Sequence, residues 1–375
     1  MDFKVNSKQL EKLLTKIIPA VPTRTPMTIL ENFLLEIKSG LLTIYATDME
    51  ISLKSSINIV SEKDIKIVVP ARMLYETVRS FKDTSIDFTI SENKKLILKT
   101  STGEYSFSYI DAKEFPEIPS FPQQENDVDI NEFNISGNDL KDAFELTAFA
   151  MSKEEMRPAM TGTLISFNEE GIRFVATDGH RLVNMLKTGH QTNINEQYIV
   201  PERAITVLLK ILDDKEVKVF VNKTHISFVL SDIELISRLI GQKYPDYQSV
   251  IPVENEFALK INTKDLLSSI KRMMIFSPSN SRRVKFSINA NLVEISAEDV
   301  DSGSAGKESI ICEYSGDQID IGFNSSYVSD VLSHLNYEEV YFKLHSSTKA
   351  VIINPDKNKE NENLMMLLMP VRLNN

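Results

Sequence analysis

A single cysteine, Cys312, is all that 375 residues contain, which excludes an intramolecular disulfide and most zinc sites. One thiol fits a reducing compartment, and the chain reads as cytoplasmic. The first residues, Met1-Asp2-Phe3-Lys4-Val5-Asn6, lack the basic stretch and apolar run of a signal peptide. Long hydrophobic runs are missing as well. The longest apolar cluster, Leu364 to Val371, is far too short to span a bilayer, so no membrane role is expected. There is no phosphate-cradling Gly-x-x-x-x-Gly-Lys loop and no Gly-x-Gly-x-x-Gly fingerprint. Gly303 and Gly306 fall in a Ser/Gly-rich stretch that reads as a flexible turn. The histidines (His180, His190, His225, His334, His345) show no His-x-x-x-His spacing, and neither a cofactor nor a metal is called for. Basic charge is also scarce: 42 Lys and Arg face 53 Asp and Glu, for a net charge of −11. Proteins that hold nucleic acid by their overall field are basic, because phosphate neutralisation and counterion release supply the affinity. Any DNA role here needs a local basic surface, or a grip that does not depend on affinity.

What is present is a repeat. The length predicts two or three domains, and 42% hydrophobic with 25% charged residues is ordinary for a globular chain. Three segments begin alike: Phe3-Lys4-Val5-Asn6 leading to Leu10, Phe133-Asn134-Ile135-Ser136 leading to Leu140, and Leu259-Lys260-Ile261-Asn262 leading to Leu266. Each pairs a short alternating strand with a good helix cap, Asn6, Ser136 or Asn262. Apolar residues then recur at helical spacing, as in Leu10, Leu13, Leu14, Ile17 and Ile18. Strands follow, closing on Ala46-Thr47-Asp48, Ala176-Thr177-Asp178 and Ala297-Glu298-Asp299. A second unit of similar texture completes each copy, opening at Val69-Pro70-Ala71, Val200-Pro201-Glu202 and Phe323-Asn324. The spacing predicts helices over 7–18, 71–81, 138–150, 202–212, 263–275 and 325–335. The expected fold is α+β, with three tandem copies of a two-unit helix-and-antiparallel-sheet domain. Hydrophilic stretches at 120–131 and 252–256 set the boundaries: 1–122, 123–253 and 254–375.

One segment tempts a catalytic reading. Asp178 and His180, in Thr177-Asp178-Gly179-His180-Arg181, are spaced as an acid/base or metal pair. The first copy reads Thr47-Asp48-Met49-Glu50 and the third Glu298-Asp299-Val300-Asp301. An Asp repeated at a strand end is better explained as a turn residue accepting backbone N–H bonds. Only the Gly179-His180-Arg181-Leu182 extension is special to the second copy. A hydrolase using Asp178 and His180, and an acidic repeat scaffold that binds only proteins, are the alternatives.

Val175-Ala176-Thr177-Asp178-Gly179-His180-Arg181-Leu182 is similar to the central-domain motif of bacterial sliding clamps, the DNA polymerase III beta subunits. Tyr244-Pro245-Asp246-Tyr247 and Met369-Pro370-Val371-Arg372-Leu373 resemble that family's central-domain end and C-terminal tail. Ile29-Leu30-Glu31-Asn32, Val69-Pro70-Ala71-Arg72, Glu114-Phe115-Pro116 and Gly322-Phe323-Asn324-Ser325-Ser326-Tyr327 also match, in family order along the whole chain. The chain departs from the pattern at Gln248-Ser249 and in the extra Asn374-Asn375.

The resemblance implies a DNA clamp fold closed into a ring-shaped head-to-tail homodimer, helices inside and sheets outside, around double-stranded DNA of any sequence. The predicted helices carry +2, +1, −2, +1, +2 and −1, or +3 together, leaving −14 elsewhere in a chain of −11. A weakly basic lining has the right sign for such a ring. Arg24 and Arg72 match DNA-facing positions, and Arg157 and Arg203 are further candidates. The resemblance implies a partner-peptide pocket at Met160, Thr177, Gly179, His180, Arg181, Leu182, Pro245, Val250, Thr348, Leu367, Met369, Pro370, Val371 and Arg372. It would receive a short motif from the replicative polymerase, the clamp loader and repair proteins. Tyr105, Phe107, Ile275 and Phe276 are the implied dimer contacts. No chemistry of its own is expected.

Overall fold

The computed structural model describes residues 2–61, 63–119, 121, 130–190, 192 and 194–373. The boundary expected at 122/123 and the Asn374-Asn375 extension lie outside the described residues.

Among the described residues six α-helices form where the caps and apolar spacing place them: α1 (Ser7–Ile17), α2 (Ala71–Ser80), α3 (Gly137–Ala148), α4 (Glu202–Ile211), α5 (Thr263–Phe276) and α6 (Ser325–His334). Asn6 starts α1 by accepting hydrogen bonds from the N–H groups of Lys8 and Gln9, and Asn262 does the same for Lys264 and Asp265 at α5. Ser136 accepts from Asp139 N–H at 3.0 Å while its hydroxyl donates to the Asp139 carboxylate at 2.7 Å. Each cap satisfies donors that the first helical turn leaves without an intrahelical acceptor. Leu10, Leu13, Leu14 and Ile17 are buried on one face of α1, and Leu266, Ile270 and Met273 on one face of α5. Such stripes, rather than intrinsic propensity, hold helices of this length.

The chain forms two compact units, Met1–Lys141 with Val200–Leu239, and Asp142–Ile199 with Ile240–Asn375. The second sequence copy is therefore divided, with strands Gly162–Asn168, Gly171–Thr177 and Arg181–Thr188 in the second unit and Glu216–Val221, His225–Val229 and Ile233–Arg238 in the first. In the first unit, an antiparallel sheet carries Ile51–Asn58 against Ile233–Arg238, with Leu53 opposite Leu235. A five-stranded sheet ends on Glu104–Ser108, which among the described residues pairs only with Lys95–Lys99. In the second unit, Arg181–Thr188 pairs antiparallel with Glu362–Leu368, so residues 175 positions or more apart share one ladder.

One reading of the sequence is corrected. Gly303 turns the chain at φ +66°, but Gly306 belongs to the strand Ser304–Tyr314, opposite Ala297. A Cβ at Gly306 would lie 2.7 Å from the Phe276 ring. Glycine is used there for close packing, not for flexibility.

Candidate functional site

The segment special to the second copy is a tight turn between two strands. Thr177 Oγ1 donates to Arg181 O at 2.7 Å, and Asp178 Oδ1 accepts from the N–H groups of His180 and Arg181 at 2.9 and 3.0 Å. Gly179 sits at φ +88°, a left-handed conformation glycine adopts without penalty. The first copy builds the same turn: Thr47 Oγ1 donates to Ile51 O at 2.7 Å, and Asp48 Oδ1 accepts from Glu50 and Ile51 N–H at 3.1 and 2.9 Å. Asp178 Oδ2 takes the Nε–H of Arg181 at 3.0 Å, so both of its oxygens are committed. The acid/base pairing of Asp178 with His180 is thereby set aside, since the His180 ring lies against Tyr327 instead, 5.9 Å between centroids.

Arg181 ties this turn to two helices. Its side chain is only 10% exposed and pairs with Asp178 and Asp330, at 3.0 and 2.5 Å. It also donates to Phe149 O at 2.6 Å, and its guanidinium lies over the Tyr327 ring at 4.7 Å. Three acceptors and an aromatic face compensate for taking this cation out of water.

Beside the turn lies a buried apolar cluster. Leu182 stands opposite Leu367 in the ladder, and both join a cluster with Ala159, Leu164, Val175, Tyr244 and Tyr247. Tyr244 is buried beneath Val175, and burial pushes its hydroxyl well above the usual tyrosine range. Met160 is 8% exposed, with its Cε 3.8 Å from where a Cβ on Gly179 would be. The tail docks along the same edge: Met369 N–H donates to His180 O and Val371 N–H to Gly322 O, each at 2.8 Å. Val250 and Met369 stay 52% and 39% exposed. Pro245 and Thr348 are exposed, Pro370 and Val371 half-buried, and Arg372 exposed.

These contacts bring Met160, Thr177, Gly179, His180, Arg181, Leu182, Leu367 and Met369 together, and Val371 is fixed next to Gly322. Sequence reasoning did not assign Tyr244, Tyr247 or Tyr327 to the site, although each stands inside a motif it had matched. Met160 and Met369 bring adaptable side chains to this cluster. Among the described residues no group of three or more His, Cys, Asp or Glu side chains is placed to hold a metal.

The basic candidates separate. Arg24 is exposed, and Arg72 is exposed in the first turn of α2. Arg157 pairs with Glu154 at 3.4 Å, and its Nη1 lies 3.2 Å from a Cβ placed on Gly179, which makes it a neighbour of the turn. Arg203 is committed to Asp48 Oδ2 at 2.7 Å and Pro19 O at 2.9 Å. Of the candidate dimer residues, Ile275 is 76% and Tyr105 39% exposed, while Phe107 is buried at 6%. Phe276 covers Gly306.

A chain of repeated α+β units whose turn carboxylates are spent on backbone N–H groups has the architecture of a clamp protein, and the family comparisons carry that class. Three family models match it in order: the N-terminal (1–119), central (134–246) and C-terminal (248–372) domains of the DNA polymerase III beta subunit. The chain belongs to the DNA polymerase III beta subunit family. It is a DNA sliding clamp, a processivity factor rather than an enzyme. A Beta sliding clamp from Pseudomonas aeruginosa is 29% identical, covering 100% of both chains. A crystal structure of a sliding clamp from that organism superposes with TM-score 0.92 at 28% identity, again covering 100% of both chains. One from Bacillus subtilis gives TM-score 0.91 at 25% identity over 100% of each chain.

Proposed function

We propose that two copies close head to tail around duplex DNA, and that the cleft tethers partners through a short apolar motif. The observation that carries the tether is the joint construction of the cleft by the Thr177–Leu182 turn and the docked Leu367–Val371 tail. The partners are the replicative polymerase, the clamp loader and repair proteins carrying that motif. The cleft comprises Met160, Thr177, Gly179, His180, Arg181, Leu182, Pro245, Val250, Thr348, Leu367, Met369, Pro370, Val371 and Arg372.

Two open strand edges support closure. Among the described residues, Glu104–Ser108 has one free edge, and Ser304–Tyr314 pairs with Phe257–Asn262 only near its end, at Cys312–Tyr314. Unpaired edges invite another strand, and the exposed Ile275 stands at the end of α5. Tyr105, Phe107, Ile275 and Phe276 are the proposed interface, with Phe107 and Phe276 backing it from inside. Arg24, Arg72, Arg157 and Arg203 face DNA in this reading; the first two are exposed, and the last two also hold carboxylates of the chain, Glu154 and Asp48. The copies are bounded at 1–122, 123–253 and 254–375, and the compartment is the cytoplasm. No helix of the described residues is long and apolar enough to cross a membrane.

Topology then supplies the retention that a net charge of −11 cannot. The clamp, loaded on closed circular DNA, should remain through a rise in salt and leave once the circle is cut. Equal release from circular and linear DNA would refute the ring.

A further inference from the structure

Strand register makes three sheet faces directly comparable. In the first copy Leu34 stands opposite both Tyr45 and Val68, and Phe115 packs over them. In the second copy Leu164 stands opposite Val175, and Tyr244 packs with them and Ile199. The third copy places Lys285 at the same point, opposite Ser296 and Gly322. Two faces are apolar and covered by an aromatic, whereas the third is polar. Above it lies an open groove of 870 Å³.

Arg283, Lys285, Lys307 and Arg372 line this groove, against Glu298 and Asp320. Lys285 is paired with Asp320 at 2.7 Å and Lys307 with Glu294 at 2.6 Å. Among the described residues, Arg283 and Arg372 have no carboxylate partner. An unpaired guanidinium is a forked donor that matches a carboxylate. In a chain of net charge −11 the groove is a local excess of cation. Thr348 and Arg372, proposed above as part of the partner site, also line it, so on that proposal the two sites adjoin.

We infer that the groove receives an acidic stretch of the partner, flanking the apolar motif seated in the cleft. The inference rests on the peptide reading of that cleft. Carboxylate side chains of the partner pair with Arg283 and Arg372, while Leu373, packed at Gly322, marks the passage between the two sites. Glu298 opposes an acidic ligand, so the gain is moderate. The same groove discriminates among partners that share the motif, because it rewards only those with acid beside it.

The test uses the full-length protein and labelled peptides: a clamp-motif peptide alone, and the same peptide with a short run of glutamates at either end. One of the extended peptides should bind about fivefold tighter at low salt, the contribution of two partly exposed ion pairs. The gain should vanish at high salt and in Arg283→Glu, while the affinity of the unextended peptide stays unchanged and reports an intact cleft. No gain from either extension, or a gain undiminished in Arg283→Glu, overturns the inference. An acidic peptide without the motif that binds as tightly as the extended one makes the groove a general anion site and overturns it too. Failure of the unextended peptide to bind removes the cleft reading itself, and this inference with it.

Discussion

Arg181 and Arg203 offer a comparison inside one chain. Each donates through Nε to the carboxylate of a turn Asp, Asp178 or Asp48, at 3.0 and 2.7 Å. Each also donates to a carbonyl just past a helix, Phe149 after α3 or Pro19 after α1, at 2.6 and 2.9 Å. The difference is burial: 10% of the Arg181 side chain is exposed against 32% for Arg203. Replacing Arg181 with alanine leaves Asp178 and the Phe149 carbonyl without their partner, where water enters poorly. Breaking a buried ion pair costs about 3–5 kcal/mol, and Asp330, 45% exposed, adds little to it. Water already reaches the Arg203 guanidinium and can replace it, so Arg203→Ala should cost about 1–2 kcal/mol. Urea titration read by hydrogen exchange at each turn would measure both costs locally. Peptide binding should fall in Arg181→Ala, whose turn carries His180 and the Met369 contact, and stay unchanged in Arg203→Ala. Arg181→Lys should recover less than half of the loss, since an ammonium cannot span the same acceptors. Equal costs for the two alanine variants would refute the burial argument.

Ile275→Asp should give a monomer in sedimentation without loss of helix content, because the side chain is exposed; an undisturbed dimer would displace the interface. Phe276→Asp should also lower stability, since its ring packs on Gly306. Deleting residues 369–375 should weaken binding of a clamp-motif peptide at least about tenfold while the dimer persists, given that a single central contact group commonly carries that much; unchanged affinity would refute the docked-tail assignment. Burial, and then Glu36, push the Tyr45 hydroxyl up to about 12 from its ordinary 10. The unfolded chain therefore loses that proton first. The stability due to Tyr45 is complete below pH 10 and lost as pH rises toward 12. Tyr45→Phe should flatten unfolding against pH across that alkaline window; an identical slope would exclude Tyr45 as its source.

The threefold repeat, the six helices and the strand–turn–strand units were legible in the sequence because their signals are local. A cap acts within three residues, an apolar stripe within a few turns, and a turn Asp bonds N–H groups two and three positions on. Asp48 and Asp178 could therefore be assigned to turns without coordinates. The neighbourhood of that turn was legible in part: the motif resemblance named both the 177–182 turn and the 369–373 tail, and the ladder from Arg181 to Leu368 sets their strands side by side. The tyrosines at 244, 247 and 327 escaped assignment because nothing local distinguishes a tyrosine that floors a cleft from one in a core. The contacts of the arginines were least legible. A guanidinium reaches far along a flexible stem, and whether it meets a carboxylate or solvent depends on the tertiary path, as for Arg203 and Asp48, which lie 155 positions apart. The same holds for Gly306, whose use is decided by the ring of Phe276 above it. Local covalent order determines where helices and strands begin; only the tertiary path decides which charges are spent inside the fold and which, like Arg283 and Arg372, are left for a partner.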